Sequence, residues 1–152
     1  MKKNVIISIS GTQTTIDGDE EHIELVTPGT LSRKGGAYLL SYQETTLSGL
    51  DGTETTFYIR PDFITLLRSG SINTEMTFER DRKHLSAYET STGMVTVGVN
   101  THSIAASIDD TGGSIDIRYV IDVENLSTGE NHFHILVQEP RSAPAPAAGL
   151  IM

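Results

Sequence analysis

Apolar side chains at every second position recur along this chain in short runs rich in Val, Ile, Thr, Tyr and Phe. Period-two alternation is the signature of a β-strand with one face buried and one face wet. The clearest run is Ser114–Glu124, where Ile115, Ile117, Tyr119, Ile121 and Val123 share one face and only Val120 breaks the rule. Ile72–Arg80 places Ile72, Thr74, Met76 and Phe78 opposite Asn73, Glu75, Thr77 and Glu79. Val5, Ile7 and Ile9 form an apolar face, as do Ile23 with Leu25, Thr55 with Phe57 and Ile59, and Phe133 with Ile135 and Val137. Further strands are expected at Ala37–Tyr42, Phe63–Arg68, Leu85–Thr90, Met94–Val99 and His102–Ile108, the last beginning after a kink at Asn100-Thr101. No segment sustains a helical period.

Turn signals punctuate these runs at Asp17-Gly18, Gly35-Gly36, Asp51-Gly52, Ser69-Gly70, Thr92-Gly93, Gly112-Gly113 and Thr128-Gly129. Such pairs supply positive φ angles or local side-chain bonds that fold one strand back on the next. Roughly eight to ten strands joined by short hairpins predict an all-β fold, a single closed antiparallel up-and-down barrel, because closure removes exposed edges. A sandwich is the alternative; it needs a long crossover that the short turns do not provide. A five-stranded nucleic-acid-binding barrel has too few strands.

The barrel domain is expected to span residues 1–139. Beyond it, Pro140-Arg141-Ser142-Ala143-Pro144-Ala145-Pro146-Ala147-Ala148 cannot build a packed core, so residues 140–152 read as a Pro/Ala-rich unstructured tail. The chain has 152 residues, no Cys and no Trp, and a formal net charge of −9. The absence of Cys excludes disulfides and cysteine-ligated zinc. The apolar stretch Val5–Ile9 is too short for a signal peptide or a membrane span, and a cytoplasmic, membrane-free protein is expected. The acidic balance argues against nucleic acid; Arg80-Asp81-Arg82-Lys83-His84 reads as a solvated turn.

An ordered series of segments carries a resemblance. Tyr38-Leu39-Leu40-Ser41-Tyr42-Gln43-Glu44, Leu67-Arg68-Ser69-Gly70, Met76-Thr77-Phe78, Tyr88-Glu89-Thr90-Ser91-Thr92-Gly93 and Gly113-Ser114-Ile115-Asp116-Ile117-Arg118-Tyr119 follow one another in the chain. This series resembles the YwiB-like family of bacterial proteins, a family of unknown function. The resemblance implies a calycin (lipocalin-like) barrel over residues 4–139 and a bacterial cytoplasmic setting. It implies no catalytic residue and no cofactor. The tail and the loop Leu47–Asp51 depart from it.

Two constellations bear chemistry. Arg68, Tyr88 and Tyr119 lie in the segments that carry the resemblance and form the candidate ligand-binding set. An Arg inside a barrel needs a partner, which Glu44, Glu89 or an anionic ligand would supply. His132-Phe133-His134 sets two imidazoles about 7 Å apart along a strand, a metal-chelating spacing if a third ligand crosses from a neighbour. Phe133 claims the inner face, so both His are expected outside and no metal is assigned to them. His22, His84 and His102 fall on other strands or turns. Neither Asp17-Gly18-Asp19-Glu20-Glu21 nor Asp109-Asp110 has calcium-loop spacing. No cofactor and no catalytic set are read, so an enzyme is the less favoured reading. The expected activity, by analogy of fold alone, is binding of a small, partly apolar or anionic molecule in the barrel or its mouth. The alternative is a protein–protein or structural module, as a homodimer.

Overall fold

The computed structural model describes residues 2–15, 17–44, 51–70, 73–90 and 93–140, with Glu89 and Thr90 described by backbone alone. The expected tail at 141–152 and most of the loop Leu47–Asp51 lie outside the described residues. Ten strands form one antiparallel sheet: β1 (Lys2–Thr14), β2 (Glu20–Lys34), β3 (Ala37–Gln43), β4 (Thr53–Ile59), β5 (Phe63–Gly70), β6 (Thr74–Glu79), β7 (Lys83–Thr90), β8 (Gly93–Asp109), β9 (Gly112–Val123) and β10 (Leu126–Gln138). The spatial order is β6-β5-β4-β3-β2-β1-β10-β9-β8-β7. Every sequential pair is laddered except β6 with β7, and β1 pairs with β10 from Ile6↔Gln138 to Thr14↔Glu130. The predicted up-and-down barrel therefore forms, nearly closed, with its one seam between β6 and β7. Those two strands lie side by side and touch without a ladder between them.

The register makes the interior legible row by row. Leu40, Phe57, Leu66 and Met76 form one inner row across β3, β4, β5 and β6. Ile9, Ile135 and Ile115 form another on the far wall. Phe57, Phe78, Ile7, Leu31, Leu40, Ile64, Leu66, Ile115, Ile117 and Ile135 are closed to solvent, so side chains occupy the barrel waist. Among the described residues no helix is long and apolar enough to cross a membrane.

One sequence expectation changes and another gains a physical form. Ile23 shares its parity with Leu25, yet it is 65% exposed. The reason is that β2 pairs with β3 only from Thr30 to Lys34, so its first half overhangs the barrel with β1 alone beside it. β2 runs through Pro28-Gly29 just before pairing with β3 begins. The kink expected at Asn100-Thr101 is a register shift between Thr101 and Ser103, a bulge that leaves His102 as the extra residue.

At Gly113, φ is +142° and an added Cβ would collide with the Ser107 carbonyl oxygen on β8. At Gly36 an added Cβ meets nothing within 4 Å. Gly113→Ala is therefore expected to lower unfolding free energy by about 2 kcal/mol or more in urea titrations, with Gly36→Ala within about 0.5 kcal/mol of the parent. Equal effects would contradict the turn geometry at β8–β9.

Candidate functional site

The apolar filling of the barrel gives way to polar side chains at one end. Directly beyond the Leu40–Met76 row, Tyr42, Thr55, Arg68 and Thr74 form the next inner row. Beyond that row, the Glu44 backbone N–H donates to the Thr53 carbonyl, which places Glu44 and Thr53 at the mouth. Period two dictates this: the strands that bury Leu40, Phe57, Leu66 and Met76 must turn the residues two positions on to the same side.

Glu44 is buried, and the Thr55 hydroxyl donates to its Oε2 at 2.5 Å. The Tyr42 phenol lies close enough to this carboxylate for its charge to act on it. Arg68 Nε lies 3.9 Å from the same Oε2, an ion-pair distance beyond hydrogen-bond range. That Nε is shielded from water and has no hydrogen-bond partner, although the Arg68 side chain as a whole is 22% exposed. The hydroxyls of Thr53 and Thr74, at the same end, are likewise buried without a partner. So is that of Ser86 on β7, across the seam from β6.

Electrostatics tie the opposite wall to this cluster. Burial pushes the Tyr119 phenol well above the usual tyrosine range; the Arg68 charge pulls it back and Tyr88 adds to the rise. Burial likewise raises Tyr42, with the Glu44 charge adding and Arg68 opposing. Tyr119 packs edge-on against Phe78, with ring centroids 4.9 Å apart, and lies 6.0 Å from Phe133. Arg68 and Tyr88 thus each lie within electrostatic reach of Tyr119, and Glu44 is the partner that Arg68 takes. The Glu89 side chain lies outside the described residues. Tyr42, Thr53, Thr55 and Thr74 complete the cluster without having been singled out by sequence. Their signal was the parity they share with Leu40, Phe57 and Met76.

With this geometry in view, comparison with known proteins is informative. Residues 7–135 match the family model described as Domain of unknown function (DUF1934). The chain belongs to this family. It is 27% identical over 119 residues to the uncharacterized beta-barrel protein YwiB of Bacillus subtilis (strain 168), covering 78% of this chain and 79% of that protein. The crystal structure of the ywiB protein from Bacillus subtilis superimposes with a TM-score of 0.79 at 22% identity, covering 92% of this chain and 94% of the other. This likeness fixes the DUF1934 chain as a β-barrel; it assigns no residue a role.

The histidine pair of this DUF1934 barrel is on the outside, with Phe133 between the two packed against the core. His132 Nε2 and His134 Nδ1 both approach Asp116 Oδ2, at 2.8 and 3.1 Å. Burial works against the Asp116 carboxylate, yet the two imidazoles hold it below its ordinary range. His22 joins the same outer face, bonded to Thr12 at 3.2 Å and Glu24 at 3.0 Å, with Thr12 paired in register to His132. Among the described residues no group of three metal-ligating side chains is placed to hold an ion.

The raised tyrosines have a measurable consequence. A phenol whose folded pKa lies above its unfolded value of about 10 contributes stability fully present below pH 10 and lost as pH rises through the folded value. Unfolding free energy is expected to fall with pH above about 10, and Tyr42→Phe with Tyr119→Phe to flatten that fall. An equally steep fall in the double variant would contradict the buried phenols.

Proposed function

We propose that this DUF1934 protein is a non-enzymatic, cytoplasmic binding protein of lipocalin-like type that takes a small, partly apolar anion at the mouth of its barrel. The observation that carries the reading is Arg68: a guanidinium at the inner end of a packed barrel, its Nε closed to water and its nearest acceptor at 3.9 Å. Buried hydrogen-bonding groups in folded proteins are paired with protein, water or ligand. Arg presents a planar fork suited to carboxylate or phosphate. Tyr88, Tyr119 and the unpartnered hydroxyls of Thr53 and Thr74 supply further polar contacts, and Phe78 and Tyr119 an aromatic wall. Because Phe57, Leu66 and their neighbours fill the waist, the ligand sits at the mouth and not in a hollow centre.

A second reading, a homodimer, is favoured by one outer row. Val26 and Leu136 flank Ser8 in register on adjacent strands and are both exposed. Exposed apolar groups side by side are a mark of interaction surfaces.

Native mass spectrometry of protein purified gently from its own cytosol separates the two. The binder predicts a monomer carrying a small-molecule mass increment that is lost in Arg68→Ala and weakened about tenfold or more in Arg68→Lys. A bare monomer whose mass and thermal stability ignore panels of carboxylates and phosphates would contradict it. A doubled mass abolished by Val26→Glu would establish the dimer.

A further inference from the structure

Outside the barrel, on the opposite side of β4 from Thr55 and Phe57, the structure holds a second and unrelated concavity. A groove of about 530 Å³ is lined by Lys34, Gly36, Leu39, Tyr58, Arg60 and Phe63, with Pro61 and Asp62 at the β4–β5 turn. Its volume lies in the range of small-molecule sites. Leu39 and Tyr58 are register partners on β3 and β4, so an aliphatic and an aromatic side chain stand side by side on the outer face.

Lys34 and Arg60 bring two cations into this lining. The chain has 20 acidic and 11 basic residues, and about half of the described basic side chains sit beside a carboxylate. Among the described residues Lys3, Arg33, Arg68, Arg82 and Lys83 form such ion pairs, and Lys2, Lys34, Arg60, Arg80 and Arg118 do not; of these five, Lys34 and Arg60 line the groove together. Arg60 is instead stacked: its guanidinium carbon lies 4.7 Å from the Phe63 ring centroid and 5.7 Å from that of Tyr58. One Nη donates to Thr65 Oγ1 at 3.4 Å. Stacking on two rings with one tether fixes the plane of the fork and leaves its remaining N–H donors uncommitted. Lys34 adds a second positive charge. Asp62 is the one acidic group in the lining and has no ion pair of its own. The space beside Gly36 is open, since a Cβ there would meet nothing within 4 Å.

We propose that this groove is a binding site for a small anion carrying a flat aromatic ring, its charge held by Lys34 and Arg60 and its ring laid against Tyr58, Phe63 and Leu39. The site is independent of the Arg68 mouth and stands whether or not that mouth binds a ligand. The anion neutralises a cation pair that the protein leaves unpaired, and the ring covers apolar surface that the strand pairing leaves open.

The test is an NMR titration of the full chain with phenyl phosphate, benzoate, inorganic phosphate and benzyl alcohol, read at the Tyr58 and Phe63 ring signals. The two ring-bearing anions are expected to shift those signals saturably, and phosphate or benzyl alcohol alone to bind at least about tenfold more weakly. Arg60→Gln and, at an exposed position that does not threaten folding, Lys34→Gln are each expected to weaken the anions about tenfold. No saturable shift with either ring-bearing anion would overturn the site. So would inorganic phosphate binding as tightly as phenyl phosphate, or an undiminished affinity in Lys34→Gln.

Discussion

The pairing of β1 with β10 is the constraint on which the rest of this molecule depends. It joins the first and last strands of a sequential meander and turns a sheet with two remote edges into a tube. Closure gives every strand an inside and an outside, and period two then decides which side each residue takes. Because the chain ends meet in mid-sheet, the unladdered join falls between β6 and β7. The barrel mouth is therefore built from strand ends on both sides of a seam, with Thr74 on β6 facing the same end as Tyr88 on β7.

What occupies the tube changes along its axis. At the waist, branched aliphatics and two phenylalanines are closed to water, and burial of this kind is the main stabilising term of a small domain. At the mouth the same strands bury Glu44, Thr53, Thr55 and Thr74 beside Arg68. Desolvating a charge is expensive, and an ion pair at 3.9 Å without a hydrogen bond recovers only part of that cost. A well-packed apolar end would have been the more stable choice. A polar end maintained against that cost is what a binding site requires, and the packed waist gives it a rigid floor.

The alternation in Ile115–Val123 and Thr74–Phe78 was enough to assign inner and outer faces, and the Gly-containing turns located the hairpins. The outward turn of His132 and His134 was legible for the same reason, since Phe133 between them takes the inside. Ile23 was not legible: its parity was right, but how far β2 overhangs β3 depends on register between strands, which local pattern does not encode. Glu44 was among the partners legible for Arg68, whereas Asp116 beneath both histidines arises only from cross-strand register. The outer groove was invisible because Lys34 at the end of β2 and Tyr58 with Arg60 at the end of β4 belong to separate segments, and each alone looks like an ordinary surface residue.

The central claim is that the polar mouth is kept for binding and not for holding the barrel together. Urea unfolding of the double variant Glu44→Gln with Arg68→Met tests it most directly, since Gln preserves an acceptor for Thr55 and Met fills the space of the Arg stem. If the mouth is functional, the neutral pair leaves the barrel as stable as the parent or more so by about 1 kcal/mol or above. A loss of several kcal/mol would show that the Arg68–Glu44 pair is a structural strut, and the account would be wrong.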